Sequence, residues 1–190
     1  MDARNILPNI LDVYKKHGVV LQNVNIFGLR DPERMNDDIW NDWIGVFSGE
    51  HCQVFRGTTD PGRFYTRNPL NENGCAHLTL GYHDNIWMIG DHKGHEALVQ
   101  WGNTVTVWRD GNRDFVRDAG EVVETGWFGI NLHASFDNDD YIERASAGCQ
   151  VVKDHRDFEK LMEFAKRYKK GQRRFSYLLV DRSELNTVVL

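Results

Sequence analysis

The sequence predicts a mainly β fold of the α+β class: an antiparallel-rich sheet or sandwich, preceded by one helix and followed by a helix and a last strand. Between about residues 43 and 135, short runs of β-branched and aromatic residues alternate with turn signals such as DPG, NENG and DGN. Apolar residues recur at helical spacing on either side of that stretch. The 190 residues, 41% hydrophobic and 27% charged, have the composition of an ordinary folded domain.

The first predicted element is a short amphipathic helix. A basic last turn followed by Gly18 is a common way for a helix to end. The apolar positions at helical spacing are Ile6, Leu7, Ile10, Leu11 and Tyr14. The strands that follow are predicted in the segments WIGVF, CQVFRG, RFYTR, AHLTLGY, IWMIG, EALVQ and VTVWR.

A second helix is predicted after Cys149, with Asp154 as its N-cap and Gly171 at its end. One apolar stripe runs along it, formed by Phe158, Leu161, Met162, Ala165 and Tyr168. The segment FSYLLVD that follows is predicted to be a last strand that returns to the sheet.

We expect a single catalytic domain over residues 1–190. It divides into an N-terminal helical and entry segment (1–42), a β catalytic core (43–152) and a C-terminal helix and strand (153–190). No repeat, low-complexity stretch or linker-like composition marks a second domain.

Charge and cysteine content narrow the class of protein. A formal net charge of −5 argues against a protein that coats nucleic acid. Three cysteines cannot all pair within one chain, which favours reduced thiols and synthesis in the cytoplasm. The N-terminus lacks the pattern of a signal peptide, and no run approaches the roughly 18 apolar residues that cross a bilayer. We therefore expect a monomer without stable membrane insertion.

The segment GINLHASFDNDDYIERASAGCQVV carries the residues best suited to chemistry. His133 lies at the end of a predicted strand, and Cys149 follows a small turn before an apolar run. A thiol becomes a useful nucleophile when a base raises its thiolate fraction, and His133 is the nearest candidate base. Gly148 permits a tight turn in which backbone amides face an attacked carbonyl oxygen. A buried structural cysteine and a hydrogen-bonded core histidine would explain the same two residues.

The motifs INLHAS and SAGC resemble the signature of the L,D-transpeptidase catalytic domain, the YkuD-like family. The resemblance matches His133 in the first motif and Ser146, Gly148 and Cys149 in the second. Upstream, FRGTTDPGRFYT is similar to that family's strand, Pro-Gly turn and strand, so the likeness covers roughly residues 54 to 152. The longer pattern through IWMIGDHKGHEALVQ and VTVWRD also resembles a phage-associated branch found among cell-wall lysis proteins.

The resemblance implies a YkuD-like β-sandwich and a cysteine peptidase that acts on peptidoglycan stem peptides. A phage-type endolysin would cleave an L-to-D linkage through a Cys149/His133 acyl-enzyme, with Gly148 and Ser146 supporting the oxyanion and the motif. The family's usual His and Arg or Asn are replaced by Ala147 and Val151, which favours hydrolysis. An L,D-transpeptidase that forms or exchanges crosslinks is one alternative, and a noncatalytic wall-binding or virion structural module is another. Such an endolysin would be made in the cytoplasm and reach the wall after another protein permeabilises the membrane.

A zinc peptidase is a further alternative. His92 and His95 in DHKGHE, together with His133, would supply three ligands, the number found in catalytic zinc sites. The pair sits in a presumed turn rather than at the helical spacing of HExxH, and no carboxylate stands out as its base. We therefore expect no cofactor and no metal, and we place His92 at the substrate cleft.

Overall fold

The protein is described here by a computed structural model that covers residues 3–31, 38–136 and 139–185. Residues 1–2, 32–37, 137–138 and 186–190, which fall within the three predicted segments, lie outside the described part. In chain order the elements are α1 (Ala3–Lys16), β1 (Asn25–Arg30), β2 (Asp42–Ser48), β3 (His51–Thr58), α2 (Arg63–Arg67), β4 (Cys75–Leu78), β5 (Gly81–His92), β6 (His95–Val99), β7 (Val105–Asp110), β8 (Val123–Gly126), β9 (Leu132–Ala134), β10 (Gln150–Val152), α3 (His155–Tyr168), β11 (Phe175–Asp181) and a 3₁₀ helix (Arg182–Glu184).

Eight strands form a closed barrel in the order β1-β11-β5-β6-β9-β10-β3-β2. The mainly β, α+β prediction is therefore confirmed, whereas the larger sheet closes on itself instead of forming one face of an open sandwich. Closure depends on β1, which pairs in parallel with β11 and antiparallel with β2. This fully buried strand was not among the predicted ones. Closing the sheet removes the exposed edges that an open sheet must protect.

A separate three-stranded antiparallel sheet, in the order β4-β7-β8, packs against the barrel. Leu78 of β4 and Val107 of β7 belong to the same buried cluster as Ile26 and Leu132 of the barrel strands. The two sheets thus share one apolar core, and β4 lies close to the turn that precedes β10, as described below.

The two predicted long helices are present. The apolar stripe of α1 packs on the barrel in a second buried cluster, where the Tyr14 hydroxyl donates to the Ile26 carbonyl (2.9 Å). The Asp154 side chain caps α3 by accepting hydrogen bonds from the backbone amides of the next turn, as predicted. The end of α3 differs slightly, since the helix stops at Tyr168 and Lys170 takes the left-handed conformation (φ 49°) in place of Gly171.

The segment RFYTR was predicted as a strand and is the short helix α2. Thr66 explains the difference, because its backbone amide and its hydroxyl both donate to the Gly62 carbonyl four residues earlier. A segment of five residues with two adjacent aromatic residues and one β-branched residue is too short to distinguish the two periodicities, so local hydrogen bonding at the Pro-Gly turn decides between them.

Candidate active site

Cys149 and His133 lie on the same face of two neighbouring parallel strands. In the β9-β10 ladder, Val151 is in register with His133. The Gln150 amide also donates to the Asn131 carbonyl (2.8 Å), which extends the ladder so that Cys149 stands opposite Asn131. Because side chains alternate between faces along a strand, Asn131, His133 and Cys149 share the face that points away from the main core. The predicted nucleophile and base are therefore brought together.

His133 has a defined tautomer. Its Nδ1 lies 2.8 Å from the Ala134 carbonyl oxygen, which only accepts hydrogen bonds, so Nδ1 carries the proton and Nε2 has a free lone pair. The side chain is only 5% exposed. Burial lowers the pKa of His133 to about 4, an effect that the hydrogen bond to Ala134 only partly offsets and to which His92 and Lys93 add. The ring is therefore a neutral base at physiological pH.

The Cys149 side chain is protonated, as a neutral thiol. Its Sγ lies 3.4 Å from the Gly129 carbonyl, to which it donates. The residue is half-buried and packs beside the cluster of Trp40, Ile142 and Val151. Burial raises the pKa of Cys149, while the Asn131 backbone amide and the Lys93 charge act in the opposite direction. The resting pair is therefore a neutral thiol and a neutral imidazole.

The turn before Cys149 is closed by the Ser146 side chain. Ser146 Oγ accepts from the Gly148 amide (3.1 Å) and donates to the Cys149 carbonyl (2.8 Å). Gly148 has φ 126°, and a Cβ there would stand 2.6 Å from the Ala76 carbonyl oxygen of β4, so only glycine fits. The Gly148 amide is thus engaged within the turn. Within the described part of the chain, the Cys149 amide forms no hydrogen bond.

A buried ion cluster behind this turn was not predicted. Asp60 Oδ2 lies 2.9 Å from Arg30 Nε, and Asp60 Oδ1 lies 2.9 Å from His77 Nδ1. Burial raises the pKa of Asp60, but the Arg30 charge and the His77 hydrogen bond lower it overall. Two residues later, the Gly62 amide donates to the Ser146 carbonyl (2.9 Å), which links the Asp60 segment to the turn before Cys149. The sequence showed Asp60 only as part of a DPG turn, which carries no signal of burial.

His92, the predicted cleft residue, lies beside His133. The two ring centroids are 4.8 Å apart, and His92 Nδ1 is 3.0 Å from Asn131 Nδ2. His95 instead packs against the Phe136 ring at 4.2 Å. Over residues 3–31, 38–136 and 139–185, no group of three or more His, Cys, Asp or Glu side chains is arranged to hold a metal ion. The three-histidine zinc site therefore finds no ligand set in this arrangement.

Comparisons with known proteins identify no relative of this chain. No known protein family, curated protein or solved structure matches the chain. Among the described residues, no helix is long and apolar enough to cross a membrane.

Proposed function

We propose that this protein is a peptidoglycan stem-peptide hydrolase of the phage endolysin type, with a YkuD-like catalytic domain and a Cys149/His133 acyl-enzyme mechanism. The observation that carries the proposal is the placement of Cys149 and His133 on one face of adjacent strands, with His133 Nε2 free to accept a proton. The INLHAS and SAGC motifs supply the substrate class, because they resemble the L,D-transpeptidase signature.

In the proposed reaction, Cys149 Sγ attacks the carbonyl carbon of an L-to-D peptide bond while His133 Nε2 takes the thiol proton. A C–S bond forms, and the carbonyl oxygen becomes an oxyanion that the Cys149 amide stabilises. The C–N bond then breaks as His133 gives its proton to the leaving amine. Water attacks the thioester and gives a proton to His133, the C–S bond breaks, and the carboxylic acid product leaves as the thiol regains its proton.

The residue at position 151 favours water as the acceptor. In the resembling family a polar residue at this position serves the substrate, whereas Val151 here is fully buried against Trp40 and Ile142. The exposed Lys93, in the turn between β5 and β6, is the cation whose charge acts on both Cys149 and His133. Lys93 is therefore our candidate for holding the substrate carboxylate.

Two exposed tryptophans suit a polymeric substrate. Trp101 is 59% exposed and Trp127 is 60% exposed. Gln100, which precedes Trp101, donates from its side chain to the Gly126 carbonyl and accepts from the Phe128 amide, so the two segments that carry the tryptophans are joined. Large exposed apolar faces with a polar edge are typical of binding surfaces. We propose that they contact the glycan strand or the peptide.

The test is product mass from defined muropeptides. Purified protein is incubated in ¹⁸O-labelled water with tetrapeptide and crosslinked fragments. Cys149→Ala tests the nucleophile, and Cys52→Ser is the matched control at another thiol. We expect shortened or separated stem peptides that carry one ¹⁸O, their loss in Cys149→Ala and their retention in Cys52→Ser. Intact fragments with wild-type protein would refute the function. A predominance of new crosslinks would indicate a transpeptidase, and cleavage by Cys149→Ala would refute the nucleophile.

A further inference from the structure

The orientation of the Asn131 side chain can be assigned without ambiguity. The backbone amide of Gln100, which can only donate, lies 2.8 Å from Asn131 Oδ1. The oxygen end of the Asn131 amide is therefore fixed there, and its NH₂ end faces His92 Nδ1 at 3.0 Å. Because an NH₂ group only donates, His92 Nδ1 must be the acceptor. His92 is consequently a neutral imidazole that carries its proton on Nε2.

Gln100 makes this arrangement rigid. The residue is 4% exposed, and its Oε1 accepts from the backbone amides of Phe128 (3.2 Å) and Ile130 (2.9 Å). Its Nε2 donates to the Gly126 carbonyl (3.0 Å). These backbone partners hold the Gln100 side chain in place. The backbone amide of the same residue orients Asn131. If His92 were protonated on Nδ1, its N–H would face the NH₂ group of Asn131, and two donors cannot form a hydrogen bond. Burial and the Lys93 charge also lower the pKa of His92.

The two histidines of the site therefore have opposite tautomers. His133 is protonated on Nδ1 by its bond to Ala134 and offers a lone pair at Nε2, whereas His92 offers an N–H at Nε2. Their rings are 4.8 Å apart, and Asn131, which orients His92, stands opposite Cys149. At Nε2, the His133 ring can accept the thiol proton, whereas the His92 ring can only donate a hydrogen bond. Such a division suits a base beside an oxyanion donor.

We infer that His92 is a catalytic residue: its Nε2–H is the second hydrogen-bond donor to the oxyanion, beside the Cys149 amide, and Asn131 is its positioning residue. This inference rests on the proposed acyl transfer at Cys149. The Gly148 amide cannot take that role while it donates to Ser146 Oγ, so the backbone supplies one donor where acyl-transfer sites usually present two or more. His92 supplies the missing one.

The tautomer is tested without any substrate, by ¹⁵N chemical shifts of the histidine side chains at neutral pH. We expect His92 to be protonated on Nε2 and His133 on Nδ1. In Asn131→Asp the carboxylate only accepts, so His92 should switch to the Nδ1–H form. A wild-type His92 protonated on Nδ1, or no change in Asn131→Asp, would overturn the inference.

The catalytic role is tested by acylation of Cys149 with p-nitrophenyl acetate, which forms the acetyl thioester, releases p-nitrophenolate and passes through the same kind of oxyanion. Rates in Cys149→Ala are subtracted as background from the other thiols. His92→Ala should acylate about 10²–10³-fold more slowly at saturation, as for the loss of one oxyanion donor. His92→Gln places an amide N–H near the position of Nε2 and should recover most of the rate.

The matched control is His95→Ala, in the same hairpin but packed on Phe136 rather than bonded to Asn131, and it should acylate like the wild type. An unchanged rate in His92→Ala, or an equal loss in His92→Gln, would overturn the role of His92. Because the ester probe is independent of the wall, a protein that shows the expected acylation pattern but leaves muropeptides intact would refute only the proposed substrate.

Discussion

The buried base makes stability depend on pH in a defined window. His133 titrates near 6.5 in the unfolded chain and at about 4 in the folded protein. Between these values the unfolded chain binds a proton that the folded protein does not, so the free energy of unfolding falls as the pH is lowered from 6.5 towards 4. The full effect is about 3 kcal/mol, since each tenfold change in proton affinity corresponds to about 1.4 kcal/mol. At about pH 5, roughly 2 kcal/mol should already be lost.

The measurement compares wild type with His133→Asn, whose side-chain NH₂ can still donate to the Ala134 carbonyl but does not titrate. Urea unfolding of both proteins at about pH 7.5 and about pH 5 gives four free energies, and the difference of differences isolates His133 from the other titrating groups. The wild type should lose about 2 kcal/mol more than the variant on acidification. An equal loss in both proteins would refute the depressed pKa of His133.

The remaining predictions concern the nucleophile, its turn and the chemistry class. Cys149→Ser should abolish product formation in the mass-spectrometric assay and change the free energy of unfolding by less than about 1 kcal/mol, whereas turnover by Cys149→Ser at the wild-type rate would contradict the acyl-enzyme. Gly148→Ala should lower the free energy of unfolding, measured in urea, by about 1–3 kcal/mol, because the φ of 126° and the nearby Ala76 carbonyl exclude a Cβ. Asp60→Asn leaves the buried Arg30 guanidinium without its carboxylate partner and should lower the free energy of unfolding by about 3–5 kcal/mol. An unchanged free energy of unfolding would show that the ion cluster is dispensable for stability. A strong chelator should leave turnover intact and an alkylating reagent should remove it, whereas loss that zinc alone restores would favour the metal mechanism.

Local signals in the sequence predicted the elements that depend on local physics. The capped helix that begins after Asp154 and the strand FSYLLVD are present as expected, because N-caps, apolar stripes and β-branched runs act over a few residues. The proximity of His133 and Cys149 depends on the pairing of two short strands, because His133 lies within β9 and Cys149 directly precedes β10.

Long-range pairing could not be predicted in the same way. Barrel closure needs Asn25–Arg30 to pair with Phe175–Asp181, and nothing in either segment names its partner across the chain. The same limit hid the Asp60–His77 contact and the bond from Gln100 to Asn131. Polar residues like these are usually exposed, and only the folded arrangement shows them buried and paired.

The neutral resting state explains why so many hydrogen bonds converge on this site. An imidazolium and a thiolate attract each other and so help to hold one another in place, but a thiol with a raised pKa beside an imidazole with a lowered one has no such attraction. Orientation must then come from the surroundings. On the nucleophile side it comes from Ser146, whose carbonyl is tied to the Gly62 amide; on the base side it comes from the Ala134 carbonyl. Each of these bonds involves at least one backbone atom, so in the proposed mechanism the backbone orients the thiol and the imidazole without a standing charge pair.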